Sequence, residues 1–194
     1  MPVCDDAGMF RHIEEISTAD DLATCGLDFE WTPRSVAFVA STPVFSSQPA
    51  AILVMYLHTA IVVPRSHLFI LPDGKMLRAD RVFPGLELKA AHGAPIEISG
   101  VHVGPYLGSY VRIAMELDRP ILDLKNRLLN TNGIISADYS VQVFSTYPEF
   151  RQMFCLAHSN LPVVGSEAYI AEYGSKCLGP PLITFETSAF YAEK

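Results

Sequence analysis

One histidine in this sequence stands where a proton-transferring side chain is most useful. His67 follows a polar kink, Pro64-Arg65-Ser66, inside the otherwise apolar run from Ile61 to Leu71. An imidazole titrates close to neutral pH, so a histidine held among apolar residues can give or take a proton that a carboxylate or an ammonium cannot. The other candidate groups are less well placed. His58 lies nine positions earlier, and two histidines without a third ligand make a poor metal site. Asp28 and Glu30 form an acidic pair of the kind that holds divalent ions, but no further acids follow at suitable places, so a solvated strand edge is the preferred reading. Cys4, Cys25, Cys155 and Cys177 have neither zinc-ligand spacing nor disulfide density and read as free, mostly buried thiols.

The elements that must position His67 are short strands. Thr32 to Ser41 alternates and is rich in β-branched and aromatic residues, and Ala50 to Leu57 and Ala60 to Leu71 read as two strands joined at His58-Thr59. Proline cannot donate to a strand ladder, so Pro64 marks a bulge or an edge that re-aims the chain toward His67. Pro72-Asp73-Gly74-Lys75 and Asn132-Gly133 are turn signals, with Gly74 free to take a positive φ. Further strands are expected at Met76 to Val82, Leu86 to Ala90, Pro95 to Val103 and Ile134 to Phe144. Residues 9 to 22 fit either a short helix or a strand and a turn. Beyond Ser145 the texture changes: Glu149 to His158 and Glu167 to Tyr173 look helical, and a last strand is expected at Leu182 to Thr187. The fold class is therefore mostly β, with residues 1–142 as one domain and 143–194 as a short mixed α/β C-terminal extension packing on it.

Composition narrows the function. The chain has 194 residues, of which 49% are hydrophobic and 18% charged, enough for one well-buried domain. Its net charge is −7 and its Lys and Arg residues are scattered, which argues against nucleic acid as a partner. Pro49 to Val63, the most apolar window, is shorter than the roughly 20 residues that cross a bilayer, so no transmembrane segment is expected. The first ten residues carry acids where a signal peptide needs positive charge, which makes a cytoplasmic location the default.

Five segments in order resemble the Hint domain, the self-processing module of Hedgehog proteins and inteins. They are Ile13 to Leu22, Ser35 to Val39, Val63-Pro64-Arg65-Ser66-His67-Leu68, Ala79 to Leu88 with its Pro84-Gly85, and the closing stretch Asn132-Gly133-Ile134-Ile135-Ser136-Ala137-Asp138-Tyr139. The resemblance spans about residues 9 to 142. It implies a flat, pseudo-two-fold β fold with a central cleft, and a cofactor-free chemistry in which a Cys or Ser attacks the carbonyl preceding it while a histidine handles the proton. His67 is that histidine by resemblance. Asp138, at the closing-strand position where some members carry a Cys, is the second site residue that the resemblance names.

The same resemblance exposes departures. Pro64 stands where the family has a threonine, Ala40 and Ser41 where Hedgehog members place an acid, and Cys4 lies too close to the first motif to be the nucleophile, whose place falls before the Gly8-Met9-Phe10 segment. The expectation is a Hint-type domain without the acyl-shift reaction, with a non-enzymatic protein- or lipid-binding module as the alternative. For the C-terminal extension the plainest role is cover for a sheet edge. A protein partner, a homodimer, or a sterol or lipid contact are the other expectations.

Overall fold

The computed structural model describes residues 2–43, 47–117, 123–147, 160–174 and 185–186. The strands are β1 (Pro2–Cys4), β2 (Phe10–His12), β3 (Asp21–Cys25), β4 (Thr32–Ser35), β5 (Phe38–Ser41), β6 (Ser47–Tyr56), β7 (Thr59–Val63), β8 (Leu68–Ile70), β9 (Met76–Arg78), β10 (Glu87–Lys89), β11 (Pro95–Leu107), β12 (Val111–Ala114), β13 (Leu128–Thr131) and β14 (Ile134–Ala137). Helix α1 (Tyr139–Phe144), helix α2 (Glu167–Tyr173) and strand β15 (Phe185–Glu186) follow. Residues 9 to 22 resolve into β2, a 3-10 turn at Ile13–Glu15 and the start of β3.

Among the described residues, three sheets carry the fold. In the largest, β2, β1, β13, β14, β8 and β9 lie side by side, with β3 joining β13 to β4. The second runs β10, β11, β6, β7, with β15 added in parallel to β11, and the third is the pair β12 and β5. The main core lies between the first two sheets, where Ile52, Val54, Ile61 and Val63 meet Phe69, Leu77, Val82 and Ile134. The β-branched residues of β6 and β7 alternate across the sheet, and every second side chain enters that core.

Turn chemistry sets the registers. Asn132 and Gly133 both take positive φ, 53° and 90°, the primed turn whose twist matches paired strands, and β13 and β14 pair on either side of it. Gly74 has φ of 82° and donates its N–H to Leu71 O at 2.9 Å, as the Pro72–Lys75 turn requires. The β6–β7 hairpin closes one residue earlier than the sequence suggests, with Tyr56 paired to Thr59 around Leu57-His58.

Several expectations are corrected. Thr32 to Ser41 is not one strand but splits into β4, paired with β3, and β5, paired with β12, and the strand expected at Met76 to Val82 ends at Arg78, where a 3-10 turn over Ala79–Arg81 begins. β11 does not stop at Val103 but continues to Leu107, and it accommodates Pro105 at a register shift between Gly104 and Tyr106. A bulge is where a strand tolerates the missing donor of proline. The stretch from Ile134 to Phe144 is not a single strand either. It ends at Ala137, and Asp138 caps helix α1 by accepting from Val141 N at 3.0 Å.

Of the C-terminal extension, α2 matches the helical expectation at Glu167 to Tyr173, while Glu149 to His158 lies outside the described residues. Tyr169 donates its hydroxyl to Val82 O at 3.0 Å, and Tyr173 stacks on Phe83 with ring centroids 4.9 Å apart. The turn before α2 passes so close to β11 that a Cβ on Gly165, itself at φ of 83°, would lie 2.8 Å from Val103 Cγ1.

Candidate functional site

The chain leaves β7 at Val63, turns at Pro64 and enters β8 at Leu68. His67 N donates to Pro64 O at 3.0 Å and closes this turn, and Ala79 N donates to His67 O at 2.7 Å. The backbone of His67 is thereby fixed from two sides. His67 as a whole is 5% exposed, and its ring stands edge-on to Phe69 at 4.9 Å.

Both ring nitrogens have partners, and those partners define the tautomer. Gln142, on α1, donates its side-chain amide to Ala137 O at 3.0 Å, which fixes which end of the amide is nitrogen. The same nitrogen lies 3.4 Å from His67 Nδ1, so Nδ1 carries the lone pair. The proton is then on Nε2, which donates to Ser136 Oγ at 2.9 Å. The far end of the chain agrees. Thr131 donates to Ile134 O at 3.2 Å, leaving its oxygen to accept from Ser136 at 2.6 Å, and the Ser136 oxygen to accept from His67. Burial pushes the imidazole pKa down to about 4, so the ring is neutral at physiological pH.

Asp138 is bound differently. Its Oδ1 accepts from Ser140 Oγ at 2.6 Å and Val141 N at 3.0 Å, and its Oδ2 from Met115 N at 2.8 Å. Arg127, 4% exposed at its side chain, donates to Ser140 Oγ at 2.8 Å and pairs with Glu116 at 3.0 Å. Burial, the largest influence on Asp138, raises its pKa against these stabilising donors.

His67 and Asp138 line one cavity of about 140 Å3, together with Val3, Pro64, Tyr110 and Gln142. No hydrogen bond joins the two among the described residues; α1 stands between them, capped by one and presenting Gln142 to the other. Ser136, Thr131 and Gln142 are the members of the site that sequence reasoning did not single out. Ser136 lay within a motif already quoted, whereas Gln142 comes into place only because the chain becomes helical after Asp138.

The remaining candidates stand elsewhere. Cys4 lines a separate hollow with Asp5, Trp31 and Asn130, and burial raises its pKa; Cys25 sits in the core, where burial pushes its thiol up to about 12. His58 is exposed in the β6–β7 turn, and Glu30 N donates to Asp28 Oδ1 at 3.2 Å in a surface turn. No group of three or more metal-ligating side chains stands together among the described residues, and none of their helices is long and apolar enough to cross a membrane.

No family model and no curated protein matches the sequence. Solved structures do. A bacterial intein-like domain from Clostridium thermocellum superposes with a TM-score of 0.58 at 12% identity, over 71% of this chain and 94% of that one. A variant of the Ssp DnaB mini-intein gives 0.55 at 12% identity, over 71% and 86% of the respective chains. A variant of the gp41-1 intein gives 0.51 at 16% identity, over 71% and 94%. The chain therefore has the Hint-type fold of intein-like domains. At such identities the likeness is one of architecture, and the site itself has to supply the argument for function.

Proposed function

We propose that this chain is a Hint-type module, related to self-cleaving proteins, whose own residues do not carry the acyl shift and whose cleft holds a partner instead. One observation carries the reading: among the described residues no thiol lines the cavity that contains His67, while its hydroxyls, such as those of Ser66 and Ser109, are weaker nucleophiles. Acyl transfer from a peptide bond needs a nucleophile within reach of the carbonyl and a proton for the departing nitrogen. The cavity offers only part of this. His67 at neutral pH has its single ring proton committed to Ser136, so toward Gln142 it presents a lone pair rather than a donor. Asp138 has both carboxylate oxygens occupied by donors and acts as a helix cap. Pro64 has no hydroxyl with which to orient a scissile amide.

The test is direct. The purified chain is incubated with an excess of dithiothreitol or hydroxylamine, which intercept thioesters and esters, and its mass is followed. It should stay intact; fragments formed under these conditions would overturn the reading.

A second reading has its own observation. Val3, in β1, lines the same cavity as His67, and this reading takes a residue joined ahead of β1 to reach the imidazole. In this reading a cysteine supplied there attacks the carbonyl before it. A C–S bond forms as the C–N bond breaks, and the thiol proton, taken up by His67, is passed to the departing nitrogen. Fusing a peptide that ends in cysteine ahead of the chain should then give thiol-dependent release that His67→Ala stops. Release that persists in His67→Ala would remove the role given to His67.

A further inference from the structure

β1 turns successive residues to two different hollows. Val3 lines the His67 cavity, and Cys4, on the opposite face of the strand, lines a separate one of about 510 Å3. Residues of β1, β2, β3 and β4 meet there, and the chemistry of the cleft makes no use of it. Its size falls in the range of pockets that take small organic groups, about 300–1,000 Å3.

Trp31 brings an aromatic surface to this second hollow. It is half-buried and packs on the core cluster that includes Cys25 and Leu68. Its N–H donates to Ala91 O at 3.1 Å, so what the indole has left for a ligand is its π face, which attracts cations. Phe10, paired with Cys4 across β1 and β2 and 50% exposed, adds a second ring on the same side as that cysteine. Two positions before Trp31, Phe29 already carries a cation of the chain's own, Lys89 Nζ at 4.7 Å from its ring centre. Among the described residues, no lysine or arginine stands over Trp31 or Phe10 in this way.

The charge of the wall is complementary to such a guest. Asp5 Oδ1 accepts from Met9 N at 2.8 Å, and its Oδ2 accepts from no described residue. Asp6, which also lines the hollow, is exposed and makes no ion pair among the described residues. Among those residues no lysine or arginine lines it, and His92, the one lining group that can take a positive charge, is exposed in the turn before Gly93. Arg11, on β2, leans to the other face from Phe10 and is held by Asp20 at 2.6 Å. A π face beside unpaired carboxylates selects a flat, hydrogen-bonding cation. A guanidinium stacks on an indole and donates from its edge to carboxylates, which a compact ammonium does not do.

We infer that this hollow receives an arginine side chain presented by a partner protein, stacked on Trp31 with its edge toward Asp5 and Asp6. The surroundings favour a chain over a free cation. Met9, next to Phe10, is 66% exposed, and all four residues of β4 are exposed as well. Residues flanking the arginine cover apolar surface there that a small cation leaves in water. Arginine is also one of the side chains on which protein interfaces concentrate their affinity. The hollow shares no lining residue with the His67 cavity, so a partner held here leaves the cleft free.

Trp31 is the single tryptophan of the chain, so its fluorescence reports on this hollow and not on the cleft. The purified chain is titrated with the pentapeptide Ala-Val-Arg-Val-Ala, acetylated and amidated at its ends, which carries no aromatic residue. A saturable change in the tryptophan emission is expected. The same peptide with citrulline in place of arginine keeps the shape and loses the charge, and should bind about tenfold more weakly. Acetyl-arginine amide, which lacks the flanking residues, should also bind about tenfold more weakly. Asp6→Asn, at an exposed position, should weaken the arginine peptide about threefold. No saturable change at millimolar peptide, or equal binding of the citrulline peptide, would overturn the site. Equal binding of acetyl-arginine amide would overturn the protein partner, and unaltered binding by Asp6→Asn would remove the part given to that carboxylate.

Discussion

The two polar clusters that flank the cavity are built on opposite principles. Around Asp138 the groups are charged and saturated: a carboxylate with three donors, an arginine shared between Ser140 and Glu116. Around His67 they are neutral and strung in one line from Gln142 to Ile134, with the weakest link, 3.4 Å, on the cavity side. A saturated cluster holds its geometry and has nothing left to offer a ligand. The neutral line has a loose end. The comparison separates a residue that fixes the site, Asp138, from one whose chemistry is still available, His67.

The contrast is open to breakage, and the strongest blow falls on the charged side. Asp138→Ala removes the α1 cap and strands the Met115 N–H in the interior. Cap loss is worth about 1 kcal/mol and an unsatisfied buried donor about 1–3, so chemical denaturation should show about 2–4 kcal/mol lost. A loss under about 1 kcal/mol would mean that the cluster does not hold the fold.

Acid probes the neutral side. The unfolded chain takes up a proton at His67 near its ordinary pKa of 6.5, the folded chain only near 4. Between those values the unfolded state binds more protons, so stability falls as pH drops through that window, by about 3 kcal/mol in all. Asp138 works in the other sense, since its raised pKa means that stability grows as pH falls through the window above 3.8. Comparing melts of the unaltered chain with His67→Gln isolates the histidine contribution, and identical pH dependence in both would refute a buried neutral ring.

Smaller effects sharpen the picture. Ser136→Ala leaves the Nε2–H without its acceptor and should cost about 2 kcal/mol. Gln142→Met removes the long contact to Nδ1 and the bond to Ala137 O at a half-buried position, and about 1 kcal/mol is expected. If Gln142→Met proves costlier than Ser136→Ala, the cavity-side link is the tighter one and the comparison reverses.

How far the sequence reveals this depends on the range of the interactions. The Asn132-Gly133 turn, the kink at Pro64 and the β-branched alternation of β6 and β7 are local, and the sequence is legible there. Tyr139 to Phe144 is not, because YSVQVF alternates like a strand. Its helical state is secured by Asp138, whose second carboxylate oxygen is held by Met115, 23 positions away in the chain. His67 was legible as a buried histidine after a kink. Its tautomer was not, since it depends on Gln142 and thus on that same helix. Pro105 misled in the other direction, because a bulge that absorbs a proline is visible only once β6 is in register.

The line of hydrogen bonds behind His67 ends on Ile134 O, and a peptide carbonyl is a terminus for proton conduction. A hydroxyl can pass a proton on, receiving one as it gives another, but the last acceptor in this line has none to give. A proton that His67 acquires therefore finds no exit along this line among the described residues, and the other ring nitrogen, Nδ1, faces Gln142.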